Sequence, residues 1–436
     1  MKQTWLKLQD VKYSFLVSFV LLGLSFSSCQ NKKRVAVSNP TDISRQDEVL
    51  ILDRHTVEAA FPPDDSTLLP VVRNGEQFVP SQADDLDGDG AWDELAFMVN
   101  LKPKEQLFLD VAYVRADEYP EFEKRTNLRL GIDQGDHTFK EVDYYEAPSY
   151  RDSFKIIAQG ESVSWENDKM GFRNYFDCRN VKDLFGKLKP GLIIDKIHTP
   201  EMGSYHELAD WGMDILHCGN SLGSGGLAML ENDSLYRLGS TETYEYQKIT
   251  EGPVRSVFDL KYGGWHVAGQ DLSAVERISI YPGKYWFQSD VTVSGFNGEK
   301  QIVTGIVTTM LKNEPYHFKA NADYDVIATL DKQSLNNDTL GMAVMLKTDE
   351  ETKVARSTDI NFYDRGYKTV PAKEFSQVIS STYYVAQNIQ NDVPARHYFF
   401  AVWGLEDPKW NDPGNFEKYI SNEADKISNP VVITIE

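Results

Sequence analysis

Carboxylates recur through Asp85-Leu86-Asp87-Gly88-Asp89-Gly90-Ala91-Trp92-Asp93 at loop positions 1, 3, 5 and 9, with glycine at position 6. Ca²⁺ takes roughly six to eight oxygens at about 2.3 to 2.6 Å, and alternate residues of a tight loop turn their oxygens inward. The spacing predicts a calcium site built from Asp85, Asp87, Asp89 and Asp93, with Glu94 beside them. Ala96 stands at position 12, where a helix-loop-helix calcium site has a bidentate Glu, so a β-hairpin loop is expected. The loop offers no nucleophile or base, which gives the ion a structural role.

A second concentration of chemistry lies between Ser164 and His266. It runs through Trp165-Glu166-Asn167, Arg173, Asp177, Tyr205-His206, Asp210-Trp211-Gly212-Met213-Asp214, Arg255 and Trp265-His266. Aromatic platforms beside ionisable and hydrogen-bonding groups suit a sugar ring, which has an apolar face and a rim of hydroxyls. A carbohydrate site is the first expectation. Glu166 with Asp177 also fits a two-carboxylate glycosidase, and sequence does not give their separation. Gly223-Ser224-Gly225-Gly226 lacks the Lys-Ser/Thr of a phosphate loop and reads as a turn. A serine nucleophile elbow and a His-Glu-x-x-His motif are both absent, which removes support for serine hydrolase and zinc protease readings.

The 436-residue chain holds 45 Lys+Arg against 66 Asp+Glu, a net charge of -21. That balance opposes the phosphate backbone, so nucleic acid is excluded as a partner. It also repels acidic ligands at long range, so an anionic substrate must be caught by a local group of Arg, Lys or His.

The elements that must position these residues read mostly as strands. Tyr285, Phe287, Val291 and Val293 share one face of a period-two segment, and Val254 to Tyr262, Arg277 to Tyr281, Gln301 to Thr309, His397 to Trp403 and Val431 to Ile435 behave alike. Turn chemistry at Gly263-Gly264, Pro282-Gly283, Asn297-Gly298 and Asn336-Asn337-Asp338 separates them. The pattern predicts a mainly β fold, a large antiparallel sandwich of the supersandwich, galactose-mutarotase-like kind, with a few short helices. One helix is expected near the C-terminus, with Asp412 as N-cap, Pro413 in the first turn and Phe416, Tyr419, Ile420, Ala424 and Ile427 on one face.

Lys2, Lys7 and Lys12 precede an apolar run from Tyr13 to Phe26, then Ser27-Ser28-Cys29. The arrangement resembles a bacterial lipoprotein signal over residues 1–28, with Cys29 lipidated, a polar tether over 29–47, and membrane contact through lipid alone. It places the protein in the periplasm or outer membrane. An N-terminal β region is expected over 48–148 and the large sandwich over 149–436. Cys178 and Cys218 are expected as two buried thiols.

Asp84 to Leu95, Trp165 to Asp177, Tyr205-His206 with Trp211 to Asp214, Gly252 to Arg255 and Leu340 to Ala343 resemble a family of exported bacterial proteins known as a domain of unknown function and associated with polysaccharide-utilisation gene clusters. One branch is an oligosaccharide dehydratase of ulvan breakdown. The resemblance implies an anionic oligosaccharide substrate and loss of water from a non-reducing-end uronic acid. That chemistry needs a cation on the carboxylate, a base at C5 and an acid for the departing 4-hydroxyl. On this template Arg173 or Arg255 is the carboxylate clamp, His206 the base, and Tyr205 or His266 the acid. Trp165, Trp211 and Trp265 are platforms, and Glu166, Asn167, Asp177 and Asp210 orient hydroxyls or the histidine. Tyr205 and His206 point oppositely on a regular strand, so both serve one site only if that segment is a loop or bulge. The alternatives are a glycoside hydrolase or sugar epimerase on a similar sandwich, and a non-catalytic glycan-binding lipoprotein.

Overall fold

The computed structural model describes residues 33–135, 138–147, 157–239, 241–358 and 377–436. Cys29 and the apolar run before it lie outside them. Among the described residues no helix is long and apolar enough to cross a membrane.

The fold is mainly β and the sheets are antiparallel, as expected. A nine-stranded sheet runs through the strands Ser256–Val267, Gln270–Ile280, Trp286–Ser294 and Ala395–Trp403. Two five-stranded sheets share its core, one contributing Trp165, Phe172 and Leu184, the other Leu227, Met229 and Ile302, against Phe258, Phe287 and Phe399. The period-two face read in the sequence is the buried one: Phe287, Val291 and Val293 are all in this core. The helix Pro413–Ser428 also follows its sequence. Asp412 accepts from the Gly414 N–H at 2.8 Å, and Phe416, Ile420 and Ala424 are fully buried. Cys178 and Cys218 are buried thiols that form no disulfide with each other, as expected.

Three expectations need correction. Gly263-Gly264 is not a turn between strands. It lies inside the strand Ser256–Val267, where the register to Gln270–Ile280 shifts between Tyr262 and Trp265, and Gly264 takes a φ of +64°. An extra residue in one strand needs this left-handed backbone, which glycine adopts without a Cβ clash. The polar tether ends before Val35. The strand Val35–Ser38 pairs with both Gln106–Val114 and Val432–Ile435, and Val35, Ala36 and Val37 are fully buried. Three apolar residues inside a polar stretch are too few to register as a strand from sequence alone, yet two neighbouring strands bury them. The N-terminal unit also ends earlier than residue 148. Its own core runs from Val35 to Leu109 with Val431 and Ile433 added, whereas the strand Thr126–Arg129 already joins a sheet of the sandwich.

Arg255 fastens the small unit to the large one. Its Nε lies 2.7 Å from Asp84 Oδ2 and its Nη2 2.6 Å from Glu94 Oε2. Asp84 and Glu94 face each other across the base of the hairpin that carries the acidic loop. Breaking a buried ion pair from one side leaves the other charge uncompensated, at a cost of about 3 to 5 kcal/mol. Arg255→Ala is therefore expected to lower unfolding stability by about 3 kcal/mol in denaturant titration. A loss below about 1 kcal/mol, the range of exposed pairs, would show that other contacts hold the junction.

Candidate functional site

The strands Ser162–Asn167, Met170–Tyr175, Lys182–Lys187 and Gly212–Asp214 lie side by side in one sheet, and their alternation sorts the predicted site residues. Trp165, Phe172, Leu184 and Met213 point into the sandwich core. Arg173, Asp183, Phe185 and Asp214 take the other face, since successive strand residues point to opposite sides. The segment from Ile193 to Tyr205 covers that face, with Phe185, Ile194, Ile197 and Tyr205 forming a small apolar cluster.

Arg173 is 1% exposed and fully engaged. Its Nη2 donates to Asp183 Oδ2 and to Asp214 Oδ2, each at 2.6 Å, and to Tyr175 Oη at 2.9 Å. Burial opposes its charge, but Tyr175, Asp183 and Asp214 outweigh that penalty. Asp214 Oδ2 also lies 3.2 Å from His206 Nδ1. The Asp214 hydrogen bond holds the His206 imidazolium above the ordinary histidine range, with partial burial opposing. Tyr205 sits beside His206 in a turn, their ring centroids 4.2 Å apart, the geometry that would let the adjacent pair face one cleft. Burial raises the Tyr205 phenol, and the Arg173 guanidinium, 5.6 Å from the ring, pulls it back. Tyr205 therefore stays protonated near neutral pH, beside a histidine held by an aspartate.

Tyr205, His206, Glu161, His198 and Ser204 line an open cleft of about 510 Å³. Phe139, His198, Tyr205 and His206 form a continuous run of rings, with centroids 5.9, 6.0 and 4.2 Å apart. Of these rings His198, Tyr205 and His206 line the cleft, where tryptophans had been expected.

Most other expected residues are elsewhere. Trp165 and Trp265 are core, and the Trp265 indole N–H donates to Arg237 O at 2.9 Å. Trp211 packs half-buried against the covering segment. Glu166 is fully buried, paired with Lys187 and accepting from the Ile193 and Ile194 N–H groups at 2.7 and 2.9 Å, so it anchors the covering segment. Asn167 ties the Tyr281–Lys284 turn to its strand. Asp177 holds Arg179, whose Nη2 reaches Glu161 at 2.7 Å on the cleft wall. Asp210 is exposed in a turn. His266, with 64% of its side chain exposed, pairs with Asp271 on a different hairpin. Arg255 belongs to the interdomain lock. Arg173 is near the cleft but spent on Asp183 and Asp214, and so does not face a ligand. Sequence reading missed Glu161, Asp183 and His198, and placed Asp214 in the chemistry-rich Asp210-to-Asp214 run without assigning it a role. Only the register of three strands brings Asp183 and Asp214 to Arg173.

In the N-terminal hairpin Asp85, Asp87 and Asp89 carry carboxylate oxygens within 4.8 Å of one another. Asp93 turns an oxygen to the Leu86 N–H at 2.7 Å.

Residues 37–433 match the family described as "Domain of unknown function (DUF4861)". The chain belongs to that family. It is 25% identical over 449 residues to "Uncharacterized protein P7" of Formosa agariphila, covering 98% of this chain and all of that one. Among solved structures, an alpha-mannosidase from Enterococcus faecalis matches 93% of this chain at 9% identity and TM-score 0.44, and the chain spans 46% of its length. A putative aldose 1-epimerase from Klebsiella pneumoniae matches 70% of this chain and 97% of its own at 10% identity and TM-score 0.31.

In this DUF4861 member, Asp214→Asn removes the negative charge, and with it the charge-assisted hydrogen bond, that raises His206. Its imidazole titration, followed by NMR, is expected to move to lower pH. An unchanged titration would detach His206 from Asp214.

Proposed function

We propose that the chain is an exported, Cys29-anchored enzyme that removes water from a non-reducing-end uronic acid of an anionic oligosaccharide. The observation that supports this most directly is the Tyr205–His206 pair on one cleft, with Asp214 behind the histidine. In the reading, neutral His206 takes the C5 proton and Asp214 stabilises the imidazolium formed. The electron pair left at C5 forms the C4–C5 double bond as the C4–O bond breaks, and Tyr205 gives its proton to the departing hydroxyl, which leaves as water. Solvent then returns the proton from His206 to Tyr205. Arg173 positions both groups through Asp214 and its contact with the Tyr205 ring, and is not the carboxylate clamp.

Glu161 on the same cleft supports a second reading, a hydrolase or epimerase using a Glu and His pair. Release of reducing sugar without a new chromophore would favour hydrolysis. For the acidic loop we propose structural calcium. Hard oxygen donors from Asp85, Asp87 and Asp89, already gathered, fit that ion.

Incubation with uronate-ended oligosaccharides is expected to raise absorbance at roughly 230 to 235 nm, with His206→Ala and Tyr205→Phe each slowing it by about 10² to 10⁴. The rate should climb with pH as His206 loses its proton, with its midpoint above the ordinary value of about 6.5. No chromophore across varied uronates, or full activity in His206→Ala, removes the mechanism. Saturating Ca²⁺ is expected to raise the unfolding temperature of the wild type, and the gain should vanish in Asp87→Asn. Identical melting with calcium and with chelator would remove the metal.

A further inference from the structure

Two cleft residues occupy backbone conformations that L side chains rarely adopt. Glu161 has a φ of +62° and His198 a φ of +61°. Most other non-glycine residues with such angles here are Asn or Asp, which tolerate them. Strain of this kind persists where surrounding structure imposes it, and it gathers at ligand sites. At His198 the structure imposes it from both ends. The Ile197 carbonyl is held by Gln159 Nε2 at 2.7 Å, and the Thr199 N–H donates to Lys196 O at 3.1 Å. The ring is fixed edge-on to Phe139 and 6.0 Å from Tyr205.

The titratable groups of the cleft are not equally committed. Glu161 is neutralised by Arg179 at 2.7 Å, and His206 is bound to Asp214. His198 has no carboxylate partner among the described residues, so its ring N–H is open to an anion. Arg173 and Arg255, the two arginines expected to grip a carboxylate, are each consumed by two acids.

We infer that His198 is the specificity residue of this cleft: its imidazole binds the carboxylate of the terminal sugar, beside the reacting pair Tyr205 and His206. The inference rests on the uronate reading above and names the group that recognises the acid.

The test measures binding of a glucuronate-ended disaccharide and of its carboxyl-reduced, glucose-ended counterpart by calorimetry. Wild type is expected to prefer the acid, and His198→Gln to lose that preference by roughly 10- to 100-fold while holding the neutral sugar within about twofold. His198→Gly relieves the left-handed backbone, so it should unfold no earlier than wild type while losing the same discrimination. A structural role would instead lower stability and both affinities together. Equal affinity for the two ends in wild type, including no measurable binding of either, overturns the inference, as does discrimination retained in His198→Gln. Preference for the acid with no chromophore would keep His198's role and remove the dehydratase reading, so the two fail separately.

Discussion

One guanidinium buried on the outer face of a sheet governs this site. Taking a cation out of water costs several kcal/mol, and only well-placed acids offset that cost. Arg173 has them because Asp183 is its direct cross-strand partner and Asp214 stands on the next strand but one. A one-residue slip of either Met170–Tyr175 or Lys182–Lys187 would break the pair and turn that strand's own apolar residue, Phe172 or Leu184, out of the core. The charge constraint and the packing constraint therefore select the same register. Asp214 then carries the result to the surface, since the oxygen that accepts from Arg173 is also the one that faces His206.

Tyr205 and His206 acquire opposite aptitudes from that arrangement. Burial favours the neutral phenol, whereas an aspartate favours the charged imidazole. With 59% of its side chain exposed, His206 feels the aspartate through partly screening solvent, which tempers the effect. Neighbouring groups with separated proton affinities are what acid–base chemistry on one substrate needs. Here the separation comes from placement in a turn, which lets adjacent residues share a cleft that a regular strand would put on opposite sides.

What the sequence made legible follows from how local each signal is. Period-two faces, the Asp412 cap and the amphipathic helix are set within a few residues, and they stand where the pattern put them. The aromatic density of the middle region was also real, but alternation sent Trp165 and Trp265 inward, and no composition argument distinguishes a core tryptophan from a platform. The pairing of Tyr205 with His206 was readable because both lie in one polar, glycine-punctuated stretch. Asp183 was not, because its meaning depends on a hairpin register to Arg173. His198 was not, because its distinguishing property is a backbone angle imposed by Gln159 from another segment. Arg255 was misassigned for a related reason: its partners lie some 160 to 170 residues earlier in the chain.

The fate of the two arginines bears on how a chain of net charge -21 would recognise the proposed acid. With 66 carboxylates against 45 strong bases, an arginine near a folded surface meets several acids, and its fork rewards binding two of them at once. Arg173, Arg179 and Arg255 each contact two carboxylates. A permanent cation is thus a poor candidate for an open anion site here, because the protein's own acids compete for it with no loss of translational freedom. His198 escapes that competition, having no carboxylate partner among the described residues, whereas His206 and His266 are each held by an aspartate. A neutral imidazole attracts carboxylates more weakly than a guanidinium does, so a histidine is less readily claimed by the protein's own acids. In so acidic a protein, the group that the proposed anionic sugar would find open is one whose charge is conditional.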